Sequence, residues 1–372
     1  LFMIGGMGAA VPFLNLYMAR QHLSGTQIGF TIAIGSIIGL FSAPYWVKLQ
    51  SEDENPIRML SITLLVSGVM TVIYGFQTAF IGITIFYTLR TLFSSAHMTT
   101  ADMLALRALK GTQSGYGSIR FLGSLGWAVI VLFTGWLNEK TSITHGFGLH
   151  LAMNLISIFI LYHLIDKKND DRPAQRTGIF TYFAGIPGLF RNPAISVLAI
   201  LTVLTGIGNN GVINYEILYL DQLGATEFFI GVASMISSLV EIPTMLLTDR
   251  IAKKTGIKKL ILSALLLNVL LRGFVVLSPS VAGLIIARGI GGIAYSFLTV
   301  GFVMYVNAVL PSEKSGTALV ILTITIPTLI NIIMTPIYGS LFDLVGAGSL
   351  YLISLVGYAF GWIVFRRSPV TV

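Results

Sequence analysis

The chain contains no cysteine, which excludes disulfides, thiolate metal sites and a cysteine nucleophile. Charge is scarce too: Asp, Glu, Lys and Arg make up 10% of its 372 residues, where soluble chains carry roughly a quarter. Histidine numbers only 5, scattered without ligand spacing, so no metal is expected. No Walker phosphate loop, HExxH or GxSxG is present, which leaves direct nucleotide hydrolysis and familiar hydrolytic chemistry unsupported. Neither an enzyme nor a cofactor is therefore expected. The longest polar stretch, DKKNDDRPAQRTG from Asp166, is too short for a soluble domain.

Apolar residues fill the space that charge vacates. Hydrophobic residues make up 55% of the chain and mean hydropathy is +0.84. Runs long enough to cross a bilayer recur along the whole length, and only helices or closed barrels satisfy the backbone in lipid. The runs are too long for barrel strands, so an all-α membrane protein is predicted. About twelve segments of roughly 20 residues fit, starting near positions 1, 26, 58, 78, 117, 146, 192, 227, 259, 280, 316 and 346. The chain opens inside the first of these at Leu1, which reads as a trimmed start, and nothing resembles a cleavable signal peptide.

The net charge of +8 has a position as well as a sign. Lys48, Arg58, Arg107, Lys110, the basic run from Lys167 to Arg191, the run from Arg250 to Lys259, Lys314, and Arg366 with Arg367 all follow even-numbered segments. The opposite loops hold little beyond Arg20 and Lys140. The positive-inside rule then puts both termini in the cytoplasm of a multi-pass cell-membrane protein and explains the basic balance without nucleic acid.

The polar stretch, followed by a short interfacial piece IFTYFAGIPGLFRNP, divides the chain into an N-terminal six-helix bundle (1–165), a cytoplasmic linker (166–191) and a C-terminal six-helix bundle (192–372). The halves read as copies. Leu16, Tyr17, Ile28 and Gly29 recur as Leu218, Tyr219, Ile230 and Gly231; Ile57, Arg58 and Leu60 recur as Ile257, Lys258 and Leu260; Arg90 recurs as Arg288. Chance similarity among apolar helices is the competing explanation, since they share a small alphabet. Duplicated halves suit alternating access around a site near the midplane.

Ionisable residues within membrane helices are costly, and each is a functional candidate. Segment four carries Arg90, His97 and Asp102; five begins with Arg120; seven has Asn209, Asn210, Asn214 and Glu216; eight has Glu241; nine has Arg272; ten has Arg288. Arg120, Gly123, Ser124 and Trp127 share one helical face. That face offers a forked cation and an aromatic plate, a set that grips a solute with hydroxyls and a flat side. Equally, Arg120 near the cytoplasmic end can snorkel to water while Trp127 packs between helices. Asp102 is the nearest acid to Arg120, as a static ion pair or as a carboxylate that takes a proton on losing its partner. Glu241, just before Pro243, either titrates or pairs with Arg272. Glu216 is placed near the outer end of its segment, exposed to water. His97 is a polar cavity residue or a satisfied core histidine.

The segment YGSIRFLGSLGWA, with Asp102 upstream of it, resembles the major facilitator superfamily, in particular its lactose permease-like symporters and the neighbouring phenylpropionate and nucleoside branch. By that resemblance Asp102, Arg120 and Trp127 would contact solute, with His97 and Asn210 as further binding candidates. Asp102, Glu241 and Arg272 would serve proton coupling. DRIAKKTGIKK resembles the superfamily's loop after helix eight, making Asp249 and Arg250 a gating loop; the first-half copy is degraded to KLQSEDENPIR. EIPTMLLTDRI resembles the phenylpropionate branch. The histidine and glutamate that the lactose permease group carries in helix ten have no counterpart in RGIGGIAYSFLTVGFVMYVN. The expectation is a monomeric secondary transporter with the major facilitator fold, twelve helices in two pseudo-symmetric bundles. It would move a small polar solute, a sugar or glycoside before a nucleoside or aromatic acid, in symport with protons or another ion. An exporter or antiporter of amphipathic compounds and a transport-inactive receptor or scaffold are the alternatives.

Overall fold

The computed structural model describes residues 1–52, 56–109, 116–164 and 186–368. Nearly all of them are helical: α1 Phe2–Arg20, α2 Gly25–Glu52, α3 Pro56–Tyr74, α4 Phe80–Ser94, α5 His97–Leu109, α6 Tyr116–Lys140, α7 Ile143–Leu164, α8 Ile186–Leu189, α9 Pro193–Gln222, α10 Glu227–Thr255, α11 Ile257–Leu277, α12 Val281–Val309, α13 Ser312–Val320, α14 Ile326–Val345 and α15 Ala347–Arg367. A π-helical turn, Ile321–Thr325, joins α13 to α14 without a break. Among the described residues 11 helices are long and apolar enough to cross a membrane, counting Lys314–Val345 as one. A further apolar stretch is divided between α4 and α5, which part at Ser95 and Ala96. These elements begin within a few residues of the starts read from the sequence. The linker predicted at 166–191 falls mostly outside the described residues.

Large apolar side chains face outward in a way no soluble protein tolerates. Phe41 is 71% exposed, Leu246 71%, Leu277 86% and Leu344 82%. Lipid is the solvent in which this costs nothing. Buried hydroxyls along the same helices satisfy themselves locally: Thr71 donates to the Ser67 carbonyl (2.7 Å) and Thr134 to that of Ile130 (2.7 Å), one turn back.

The chain packs as two compact units. The first comprises Leu1–Leu23, Phe30–Arg176 and Thr226–Met235. Within it α1 runs against α6 and α7 through small residues. A Cβ on Gly8 would sit 3.1 Å from the Trp127 carbonyl oxygen, and one on Gly6 would sit 3.0 Å from the Met153 Cβ. Such residues let helices approach where no hydrophobic force drives association within lipid. Tyr17, Tyr74 and Phe147 knit α1, α3 and α7, with ring centroids 5.2 to 5.6 Å apart. The Tyr74 hydroxyl donates to the Leu14 carbonyl at 2.8 Å. Glu139 at the end of α6 accepts from the Thr226 hydroxyl (2.6 Å) and the Phe228 N–H (3.3 Å), satisfying the first turn of α10.

The second unit comprises Ser24–Gly29, Thr177–Ala225 and Ile236–Val372. Its core joins Leu198 and Leu201 of α9, Ile261 and Leu265 of α11, Tyr305 of α12, Leu322 and Phe365. Here α9 meets α15 backbone to backbone: a Cβ on Gly208 would lie 2.9 Å from the Gly357 Cα. Asp343 of α14 takes the first turn of α2, accepting from the N–H groups of Gly25 (2.6 Å) and Thr26 (2.8 Å) and the Thr26 hydroxyl (2.7 Å). Its counterpart in the first unit is Glu139. Gly346, with φ +88°, turns α14 into α15 in a single residue, a conformation that glycine adopts without penalty.

Candidate functional site

The second unit gathers most of the intramembrane polar groups around α9. Residues 209 and 216 lie seven apart and share one face; residues 210 and 214 lie four apart and share another. On the first face Glu216 is buried, its two oxygens taken by Arg288 of α12 and the hydroxyl of Tyr351 of α15. Asn209 accepts from the Arg272 guanidinium of α11 at 2.9 Å, and Ser354 of α15 bonds to both at 3.3 Å. The Arg272 guanidinium also stacks over Tyr358, 5.5 Å from its ring centre. On the second face Asn210 and Asn214 each donate to Asn331 of α14 at 2.9 Å, and Thr335 donates to Asn210 at 3.1 Å.

One carboxylate thus stands with two guanidinium groups, among amides and hydroxyls, inside a largely apolar bundle. Its two oxygens have charge-assisted or hydroxyl donors, the condition under which a buried ion pair is sustained. Breaking either contact leaves a charge in low dielectric. The arrangement can hold a proton-exchangeable carboxylate and present amide and hydroxyl groups beside it.

Two expectations need correction. Glu216 was expected at the wet end of its helix, but it is buried, with a side chain 11% exposed. It is not terminal, because α9 runs on past it to Gln222, a full 30 residues. Arg272 turns to Asn209 and Ser354 rather than to Glu241, giving each of them one of its five N–H donors. Glu241 is half-buried on α10, and the Ser296 hydroxyl of α12 donates to its backbone carbonyl at 3.2 Å.

The remaining candidates are more dispersed. Asp102 is half-buried on α5, and Trp127 is half-buried on α6 against Gly8. Arg120 falls in the first turns of α6, but its side chain lies outside the described residues. His97 opens α5 with 3% exposure, and its Nε2 has no hydrogen-bond partner. Asn210 is 5% exposed within the asparagine cluster. Asp249 and Arg250 are exposed near the end of α10. Among the described residues no group of three His, Cys, Asp or Glu side chains could hold a metal. The grouping of Glu216, Arg288 and Tyr351 escaped the sequence reading. Its signal was an acid and an arginine on separate segments, the latter the repeat partner of Arg90.

The model of the MFS_1 like family matches residues 1–365. The chain belongs to this family. Uncharacterized transporter YwbF of Bacillus subtilis (strain 168) is 25% identical over 354 residues, covering 95% of this chain and 87% of that protein. Maltose permease of Geobacillus stearothermophilus is 28% identical over 274 residues, 70% of this chain and 65% of that one. In structure the transporter matches nucleoside transporter NupG with TM-scores of 0.84, to a mutant form, and 0.79. These cover 98% of this chain and 96% and 95% of those, at 12% and 13% identity. It is a multi-pass membrane transporter of the major facilitator type, and the all-α fold read from the sequence stands.

Proposed function

We propose that the protein is a proton-coupled symporter of a small polar organic solute, with a sugar or glycoside favoured, working by alternating access. The observation that carries this is the buried clasp of Glu216 by Arg288 and Tyr351. A carboxylate held by a cation in an apolar bundle is stable only while the clasp is closed, so its opening exchanges the Arg288 contact for a proton. Arg272, within electrostatic range of Glu216, is the second cation of that site. Glu241, half-buried on α10, and Asp102 are kept as further coupling candidates. The similarity to a maltose permease favours a sugar, and the fold shared with a nucleoside transporter keeps a nucleoside as the next class to try.

Solute contact is assigned to Asp102, Arg120 and Trp127, with His97 and Asn210 as supporting polar groups. The skew of basic residues toward loops after even segments supports a cell-membrane location with both termini cytoplasmic. The protein is proposed to act as a monomer, with Asp249 and Arg250 in the gating loop.

The test is uptake of radiolabelled maltose and uridine into proteoliposomes under an imposed inward proton gradient. Accumulation should collapse with a protonophore, and Glu216→Gln should lose accumulation while keeping exchange of solute across the membrane. Accumulation that survives the protonophore overturns proton symport. Solute that leaves as protons enter makes the protein an antiporter.

A further inference from the structure

We infer that the first unit holds an anion site at Arg90, which takes a carboxylate group carried by the transported solute. The inference rests on the transporter reading above and narrows its solute to a polar compound that also carries a carboxylate, such as a sugar acid.

Arg90 lies on α4 and is 8% exposed. Its Nε is sealed from solvent and has no hydrogen-bond partner. Among the described residues none accepts a hydrogen bond from its guanidinium and no carboxylate pairs with it. The groups within electrostatic range are Tyr74 and Tyr87 together with His97 and His150, none of them an acid. Tyr74 already spends its proton on the Leu14 carbonyl (2.8 Å). His150 is fixed as a neutral ring: a carbonyl only accepts, so its Nδ1 donates to Gly6 (2.7 Å), and its Nε2 accepts from the Asn154 amide (3.3 Å). Asp102 lies on α5, beyond the break after Ser94, and is not among the groups within electrostatic range of Arg90.

The repeat makes this deficit informative. Arg288 stands where Arg90 recurs in the second half, and there the protein supplies its own counter-ion, Glu216, with Tyr351. Around Arg90 stand Tyr74 and Tyr87, but among the described residues no acid lies within electrostatic range. A cation this deep in a membrane protein needs a partner. The planar guanidinium fork matches a carboxylate bidentately, whereas a dianion would call for more than one cation. The helix carrying Arg90 is also interrupted: α4 ends at Ser94 and α5 begins at His97. Discontinuous membrane helices are where transporters place solute. His97 opens α5 at that break, its Nε2 likewise sealed and without a partner.

The test is a melting series on the purified full chain in detergent, followed by tryptophan fluorescence. Sodium acetate, benzoate and glucuronate are set against acetamide, benzamide and glucose, with ionic strength balanced by sodium sulfate, and sodium chloride as a separate arm. At least one carboxylate should raise the melting temperature by about 5 °C at saturation while its neutral partner does not. Arg90→Gln should erase that rise and Arg90→Lys should retain part of it. The inference is overturned if each acid and its neutral partner shift the wild-type protein equally, if no carboxylate shifts it, or if chloride alone gives the full rise. The wild-type comparison decides even should Arg90→Gln fail to fold. A rise with glucose alone, unchanged in Arg90→Gln, overturns the anion site and leaves the transporter reading standing.

Discussion

Replacing Glu216 with Gln tests whether the second unit depends on its buried ion pair. Gln preserves shape and can still accept from Tyr351, but it strands Arg288. The paired side chains are 11% and 22% exposed, so solvent screens them little. Removing one partner of such a pair costs about 3–5 kcal/mol, which at roughly 2–4 °C per kcal/mol for a unit of this size predicts a melting point lower by roughly 6–20 °C. Arg288→Met should cost a similar amount for the opposite reason, a carboxylate left alone. The double variant removes both charges and should recover most of the loss, giving a coupling of about 2 kcal/mol or more. Thiol-reactive dyes are silent on a chain with no cysteine, so unfolding is followed through its 4 tryptophans. Additive losses in the double variant would show that the two residues do not stabilise one another, and the proposed coupling site would fall with them.

Gly208→Val places a branched side chain where even a Cβ would stand 2.9 Å from the Gly357 Cα, and should cost about 1–3 kcal/mol by overpacking; Gly348→Val, whose nearest neighbour is the Tyr219 hydroxyl at 4.0 Å, serves as the control, and equal melting points would refute the close approach. Asp343→Ala removes the acceptor for the Gly25 and Thr26 N–H groups and should destabilise by about 1 kcal/mol, in the range of a lost helix cap. Restoration by Asn at the same position, read in the same melting assay, would separate hydrogen bonding from charge.

The helices were legible because lipid imposes a one-dimensional rule: about 20 apolar residues make one crossing. Gly346 and Gly256, with φ near +88°, make single-residue turns at the ends of α14 and α10 that the run lengths alone did not place. The division of the fourth crossing at Ser95 was not legible, because SSA carries no proline or glycine to announce a break.

The site was harder because membrane helices are apolar on every side, so the pattern that marks the buried face of a soluble helix is missing. Each ionisable residue could be found, but not the direction in which it pointed. Asn209 and Asn210 are neighbours in sequence, yet one turns to Arg272 and the other to Asn331. Glu241 looked like the partner of Arg272 because their helices are consecutive, but sequence order says nothing about which faces meet, and the donors went to α9 and α15 instead. The repeat carried information that single residues lacked. It matched Arg90 to Arg288, and among the described residues only Arg288 has an acid beside it. A self-neutralised cation suits a group that changes partners with a proton, and an unneutralised one suits a ligand that arrives with its own charge. The difference between the halves, rather than their likeness, is therefore where solute and coupling ion should be sought.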